Sequence, residues 1–429
     1  MSLKNQKKDY FWNIIAGFVN ASEAVLMSMA VTRYGRLADA GILSIAFAIG
    51  NVLMTIGKFG GRIYQVTDIK RQYTFQMYFI QRVITVFLML ITLAVSIFLK
   101  GYSGEKRIAI IYIVLIYAIE SIEDCYWGYY QSINKLFIGA RMFCLRWIVI
   151  IVSFIIMIIR TNNMILSLRI SLMACIFTFL ICLTGMKISK EGFFKYNLKE
   201  LINEHRLSNW LPGLFRQTCP LFFAGFCSIV LTNLPKFAID KFMTNEEQAC
   251  YGFVAMPVFV IGLLNQFIYQ PTIVHLTNAY YDGSRRLFQR YVRNQLWVAF
   301  GIMITCLLGA ATIGIPILSI IYHTDLENYW RELVMLQVAG GLLAISGYLT
   351  VVLTLMRKQK VILLGYIISL VIGVIILNIS VRIGGTVGAS LGYTIVMAIL
   401  CMFYFCFYNR TILLENRSFF NDELNENHD

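Results

Sequence analysis

Apolar residues occupy this chain in long blocks, separated by short stretches rich in Lys, Arg, Asn, Asp and Gly. Each block suits a helix of about 20 residues, the length that crosses roughly 30 Å of hydrocarbon. Twelve blocks read as spans, over roughly 10–32, 39–63, 77–99, 108–132, 142–159, 164–184, 218–240, 250–277, 294–322, 331–356, 361–381 and 384–408. The longest polar interval, 185–217, lies between the sixth and seventh. It divides the chain into an N-terminal lobe (1–184), a cytoplasmic linker (185–217), a C-terminal lobe (218–409) and a cytoplasmic tail (410–429). Within the linker Trp210, Leu211, Leu214 and Phe215 recur at helical spacing beside Arg206 and Arg216, as in a helix lying in the membrane interface.

The halves echo each other. Lys70-Arg71-Gln72-Tyr73-Thr74-Phe75-Gln76 follows the second span, and Arg285-Arg286-Leu287-Phe288-Gln289 follows the eighth. Six spans per half make the repeats parallel, related by an axis along the membrane normal, an architecture that places a binding site between lobes. The fold class read from this pattern is an all-α membrane protein with about twelve transmembrane helices in two parallel six-helix lobes.

Composition agrees with that class. Of 429 residues, 58% are hydrophobic and only 14% charged, with a mean hydropathy of +0.68. Lys4, Lys7 and Lys8 lead into the first span without a small-residue cleavage site, so no cleaved leader is expected. With the N-terminus inside, cytoplasmic segments hold about 22 Lys and Arg against about 9 in the external loops, which places both termini in the cytoplasm. The formal charge of +14 is then topological and does not point to nucleic acid.

Catalytic chemistry finds no support. The ten cysteines fall in or beside spans without a CxxC pair, and His205, His275, His323 and His428 form no metal-binding spacing. No phosphate-cradling glycine loop or dinucleotide fingerprint follows a strand. The expectation is a non-enzyme without a cofactor.

Three regions carry a family likeness. The first is Asn13-Ile14-Ile15-Ala16-Gly17 with Arg33-Tyr34-Gly35-Arg36-Leu37-Ala38-Asp39-Ala40-Gly41, and the second is Tyr130-Gln131-Ser132-Ile133-Asn134-Lys135 running into Arg141 and Arg146. The third is Thr232-Asn233-Leu234-Pro235-Lys236-Phe237-Ala238-Ile239-Asp240 through Tyr251-Gly252 to Phe267-Ile268-Tyr269-Gln270-Pro271. In these the chain resembles the polysaccharide (O-antigen type) flippases of the multidrug/oligosaccharidyl-lipid/polysaccharide exporter superfamily. The resemblance implies two lobes around a central cavity that opens alternately to each face of the cell membrane. It implies a polyprenyl-pyrophosphate-linked oligosaccharide as substrate, a coupling ion such as H⁺ or Na⁺, and membrane lipids and other polysaccharide-assembly proteins as partners.

Charges inside spans are the candidate site, because charge in hydrocarbon needs a partner, a wet cavity or a path to the interface. Lys58 and Arg62 stand one turn apart near the inner end of the second span and share a face. Arg82 and Arg146 lie at similar depth, and four cations at one level suit a diphosphate, with arginine able to bind its oxygens in pairs. Snorkelling to the inner interface is the competing account of all four. Glu23, Glu120 and Glu123 can pair with these cations or bind a coupling ion, while Asp124 reads as a structural partner. Lys236, beside Pro235 in the outer half of the seventh span, pairs with Asp240, snorkels to the outer interface, or meets the diphosphate at release. Asn265 and Gln266 can bond sugars, or can join helices.

Three other readings compete. A drug exporter of the same superfamily would favour a less basic cavity. A peptidoglycan-precursor flippase would carry arginines in the first span, where this chain has Asn20 and Glu23. A membrane-embedded oligosaccharide polymerase would need a long external loop, whereas the longest loop here is placed inside.

Overall fold

The structure, a computed structural model, describes residues 3–68, 71–185, 207–269, 272–282 and 284–426. Those residues are helical and contain no strand. Nine of the described helices are long and apolar enough to cross a membrane, and the chain is a multi-pass membrane protein.

The chain divides into two compact units. Unit 1 comprises residues 1–230 and 244–249. It contains α1 (Leu3–Tyr34), α2 (Leu37–Lys58), α3 (Gly61–Thr67), α4 (Phe75–Lys100), α5 (Gly104–Ser132), α6 (Leu136–Thr161), α7 (Met164–Gly185) and the first part of α8 (Leu207–Phe242). Helix α5 packs against α2, α3, α4, α6 and α7, and so forms the unit's axis. It is absent from the nine apolar helices even though it is 29 residues long, because Glu120, Glu123 and Asp124 fall within it. Close approach of α2 to α5 rests on missing side chains. A Cβ on Gly50 would lie 2.7 Å from the Tyr117 ring, and one on Gly57 would lie 2.6 Å from the Ser121 hydroxyl.

Helix α2 stops short of the expected end of the second span. Phe59 and Gly60 both adopt the left-handed conformation, with φ of 44° and 64°. The Phe59 N–H donates to the Thr55 carbonyl, and its ring stacks on Phe222 at 4.3 Å. Gly60 has a second reason to be glycine, since an added Cβ would stand 2.8 Å from that of Leu221. Lys58 and Arg62 therefore belong to two helices separated by a break, and not to one continuous face.

The linker also differs from expectation. Residues 186–206 lie outside the described residues, but Trp210, Leu211, Leu214 and Phe215 are already in α8, continuous with the seventh span. Trp210 and Leu214 are buried against Phe75, Tyr78, Cys125 and Tyr126. Protein, not lipid headgroups, covers the apolar stripe expected to lie in the interface.

Unit 2 comprises residues 231–243 and 250–429. Its helices are the end of α8, most of α9 (Asn245–Ala255), α10 (Pro257–Tyr269), α11 (Ile273–Tyr281), α12 (Arg285–Gly309), α13 (Ile315–Tyr322), α14 (Trp330–Leu355) and α15 (Gln359–Glu426). A π-helical turn, Ala310–Gly314, joins α12 to α13 just before Pro316. The eighth span, expected over 250–277, is broken at Met256 before Pro257. Proline cannot donate the helix bond its position would require, which accounts for the new start there. Non-helical angles at Gly385 kink α15 at the start of the twelfth expected span.

Candidate functional site

The break after Lys58 leaves the last carbonyls of α2 without intrahelical donors. Arg82 and Thr85 of α4 supply them: both donate to the Gly57 carbonyl, at 3.0 and 2.7 Å. A cation at a helix C-terminus also meets the negative end of its dipole. The other arm of Arg82 donates to Asp124 Oδ2 at 3.1 Å.

The remaining charges assemble around α5. Positions 120, 123, 124 and 127 share one face of a helix, and this face turns to a cavity of about 280 Å³ within unit 1. Its lining includes Asn13, Gly17 and Asn20 from α1, Lys58 and Arg62 from the two sides of the break, and Glu120, Glu123, Asp124 and Trp127 from α5. Lys58 Nζ donates to Glu120 Oε1 at 2.9 Å, and the other oxygen of Glu120 accepts from Arg146 at 3.2 Å and the Trp147 indole at 2.8 Å. Arg146 also donates to Glu123 at 2.6 Å. Arg62 reaches Asp124 Oδ1 at 3.5 Å, donates to Gln131 at 2.9 Å and lies 4.0 Å above the Trp127 ring.

Each carboxylate that meets a cavity cation is thus held from behind by a buried arginine. Lys58–Glu120–Arg146 forms one relay and Arg62–Asp124–Arg82 the other. Exposure separates the two kinds of cation: the side chains of Lys58 and Arg62 are 30% and 26% exposed, those of Arg82 and Arg146 only 4% and 1%. The four basic residues expected at one level as a single receptor are therefore not equivalent. Arg82 and Arg146 are spent on protein groups and do not line the cavity.

Glu23 on α1 accepts from the Tyr117 hydroxyl at 2.7 Å through Oε1, while its buried Oε2 has no hydrogen-bond partner among the described residues. It does not line the cavity. Lys236 sits on the part of α8 in unit 2, half-buried, with no ion pair or hydrogen bond among the described residues. Its expected pair with Asp240 is not formed. Asn265 is buried and donates to the Ile261 carbonyl of its own helix at 3.0 Å, and the Gln266 side chain lies outside those described.

Sequence reading missed Trp127 and the amides of α1 as lining residues. The signal was present in the spacing. Trp127 continues the carboxylate face of α5, and Asn13, Gly17 and Asn20 share one face of α1.

No family model matches the chain. A capsular polysaccharide biosynthesis protein, CapF, from Staphylococcus aureus is 22% identical over 373 residues, covering 87% of this chain and 91% of that protein. An inward-facing multidrug-resistance MATE family transporter of the MOP superfamily superposes with a TM-score of 0.68 at 12% identity, covering 92% of this chain and 96% of that one. The chain has the MOP transporter fold. The lipid II flippase MurJ, in an inward closed conformation, gives a TM-score of 0.69 at 15% identity, covering 93% of this chain and 87% of that one. The MATE transporter VcmN from Vibrio cholerae gives 0.61 at 14%, covering 96% and 98%. The superfamily read from the sequence motifs is thus the one whose fold the chain adopts.

Proposed function

We propose that this protein flips a polyprenyl-diphosphate-linked oligosaccharide from the cytoplasmic to the outer leaflet of the cell membrane by alternating access. In this reading twelve helices form two lobes and both termini are cytoplasmic. The pair of relays carries the proposal. A diphosphate offers charged oxygens to Lys58 and Arg62, the two partly exposed members, and charge-assisted bonds of this kind are among the stronger ones in proteins. When these cations turn to phosphate, Glu120 and Asp124 keep Arg146 and Arg82, so no carboxylate is left bare in a low-dielectric setting. Binding then exchanges partners while each carboxylate keeps a hydrogen bond to a buried arginine. Asn13 and Asn20 place amides where the first sugar's hydroxyls can bond, a role the sequence reading gave to Asn265 and Gln266.

Support comes from three sides: the MOP fold, the likeness to a capsular polysaccharide biosynthesis protein, and the lipid flippase among the structural neighbours. Lys236, a cation of unit 2 with no ion pair among the described residues, takes the diphosphate late, at release. Glu23, with one carboxylate oxygen unsatisfied, takes the coupling H⁺ or Na⁺. Glu23→Gln keeps the Tyr117 bond and should abolish the dependence of transport on an ion gradient; unchanged dependence would remove Glu23 from coupling.

Deleting the gene in its native host and analysing membrane lipids by mass spectrometry tests the function itself. Accumulation of a complete diphosphate-linked repeat unit on the cytoplasmic face is expected. An unchanged lipid pool with altered drug sensitivity would overturn the proposal in favour of the drug-exporting reading that the MATE neighbours represent.

A further inference from the structure

Helix α12 presents two faces of opposite chemistry at the same spacing. Phe288, Val292, Gln295, Ala299 and Met303 are buried within unit 2. On the other side, at intervals of three and four residues, stand Arg286, Arg290, Arg293, Trp297, Phe300 and Ile304, all exposed. Positions three and four apart are neighbours on a helix, so these six form one continuous stripe. Its first 7 residues of rise hold three arginines over about 10 Å. Trp297, 67% exposed, follows, and below it the stripe is wholly apolar.

No described residue pairs with the basic section. Arg286, Arg290 and Arg293 have no ion pair or hydrogen bond among the described residues, and Asp282 is the only acidic residue between Ile273 and Asp325. Like charges at these spacings repel. Cations in the opening turns of a helix also oppose its dipole. Stability therefore does not explain the stripe.

We propose that this face of α12 is a docking site for acidic phospholipids of the adjacent leaflet. The arginines meet lipid phosphates at successive depths and the Trp297 indole sits at the headgroup boundary, where such rings concentrate. Phe300 and Ile304 border the acyl chain. Charge complementarity selects the occupant, since a zwitterionic headgroup offers the arginines no net charge. The proposal does not depend on what the protein transports.

The test uses purified full-length protein in nanodiscs containing phosphatidylglycerol or phosphatidylcholine with brominated acyl chains. The Trp297 signal is isolated as the difference between the protein and its Trp297→Phe variant. Quenching is expected to saturate at a lower fraction of brominated phosphatidylglycerol than of brominated phosphatidylcholine, and added salt should narrow the gap. The R286Q/R290Q/R293Q variant should lose most of the preference, at about fivefold per cation removed. The matching triple lysine variant should retain it. Equal quenching by both lipids in the unaltered protein would overturn the proposal, as would an undiminished preference in the glutamine variant. If the glutamine variant does not fold, the lipid comparison and its salt dependence in the unaltered protein decide. Retention of a polyprenyl diphosphate but not of phosphatidylglycerol would also refute it.

Discussion

Removing Lys58 leaves Glu120 bonded to Arg146 and Trp147, and removing Arg62 leaves Asp124 bonded to Arg82. Removing Arg146 instead strands Glu120 and Glu123 in a buried setting, with only Lys58 and the Trp147 indole near the first. The two substitutions should therefore differ in kind. Lys58→Ala and Arg62→Ala should each cost little stability, about 1 kcal/mol or less, as for other partly exposed pairs. The loss of a charged hydrogen bond to substrate, about 1.5–3 kcal/mol, should lower flipping at least tenfold. Melting of the purified variants alongside the level of accumulated lipid-linked intermediate checks both halves. Arg146→Ala should cost about 3–5 kcal/mol, the usual penalty for breaking a buried pair. Its readout is loss of folded, monodisperse protein; normal yield with impaired transport alone would show instead that Arg146 touches substrate.

At the scale of elements, the break between α2 and α3 sets the site. It carries Lys58 and Arg62 to the same cavity from two helices, and it exposes the Gly57 carbonyl that fixes Arg82. Gly60→Ala should weaken the unit by about 1–2 kcal/mol, because an L-residue is strained in the left-handed region. The contact with Leu221 adds to that, and thermal unfolding measures the sum. The pair Gly60-Gly61 was visible in the sequence, but glycines permit close packing and bending alike. The turn was settled by Phe59, which takes a left-handed angle because its ring stacks on Phe222, more than 160 positions away. Such a contact has no local signature. The charged residues were legible because their cost in hydrocarbon makes them conspicuous, whereas Trp127 and the α1 amides were hidden among many aromatic and polar residues of similar appearance. The broken eighth span could be read at Pro257 only with hindsight, since Pro271 and Pro316 stand in comparable runs.

For the whole molecule, the basic loops predict a direct outcome. Reporter fusions at the N-terminus and after Leu413 should both report a cytoplasmic location, and an external signal from either would reverse the orientation argued from Lys and Arg. The relays have one more consequence, for how the chain enters the bilayer. Each charged residue at the centre of an isolated helix opposes release from the translocon by about 2.5–3.5 kcal/mol. Helix α5, with Glu120, Glu123 and Asp124 all inside it, is a poor passenger by itself. Its compensating arginines lie on the helices synthesised immediately before and after it, Arg82 on α4 and Arg146 on α6. During biogenesis α5 should therefore wait at the translocon for its neighbours and move into lipid as part of a hairpin. A glycosylation-mapping insertion assay should find α5 alone excluded and α4–α5–α6 together inserted, with Arg82→Ala and Arg146→Ala each lowering the inserted fraction.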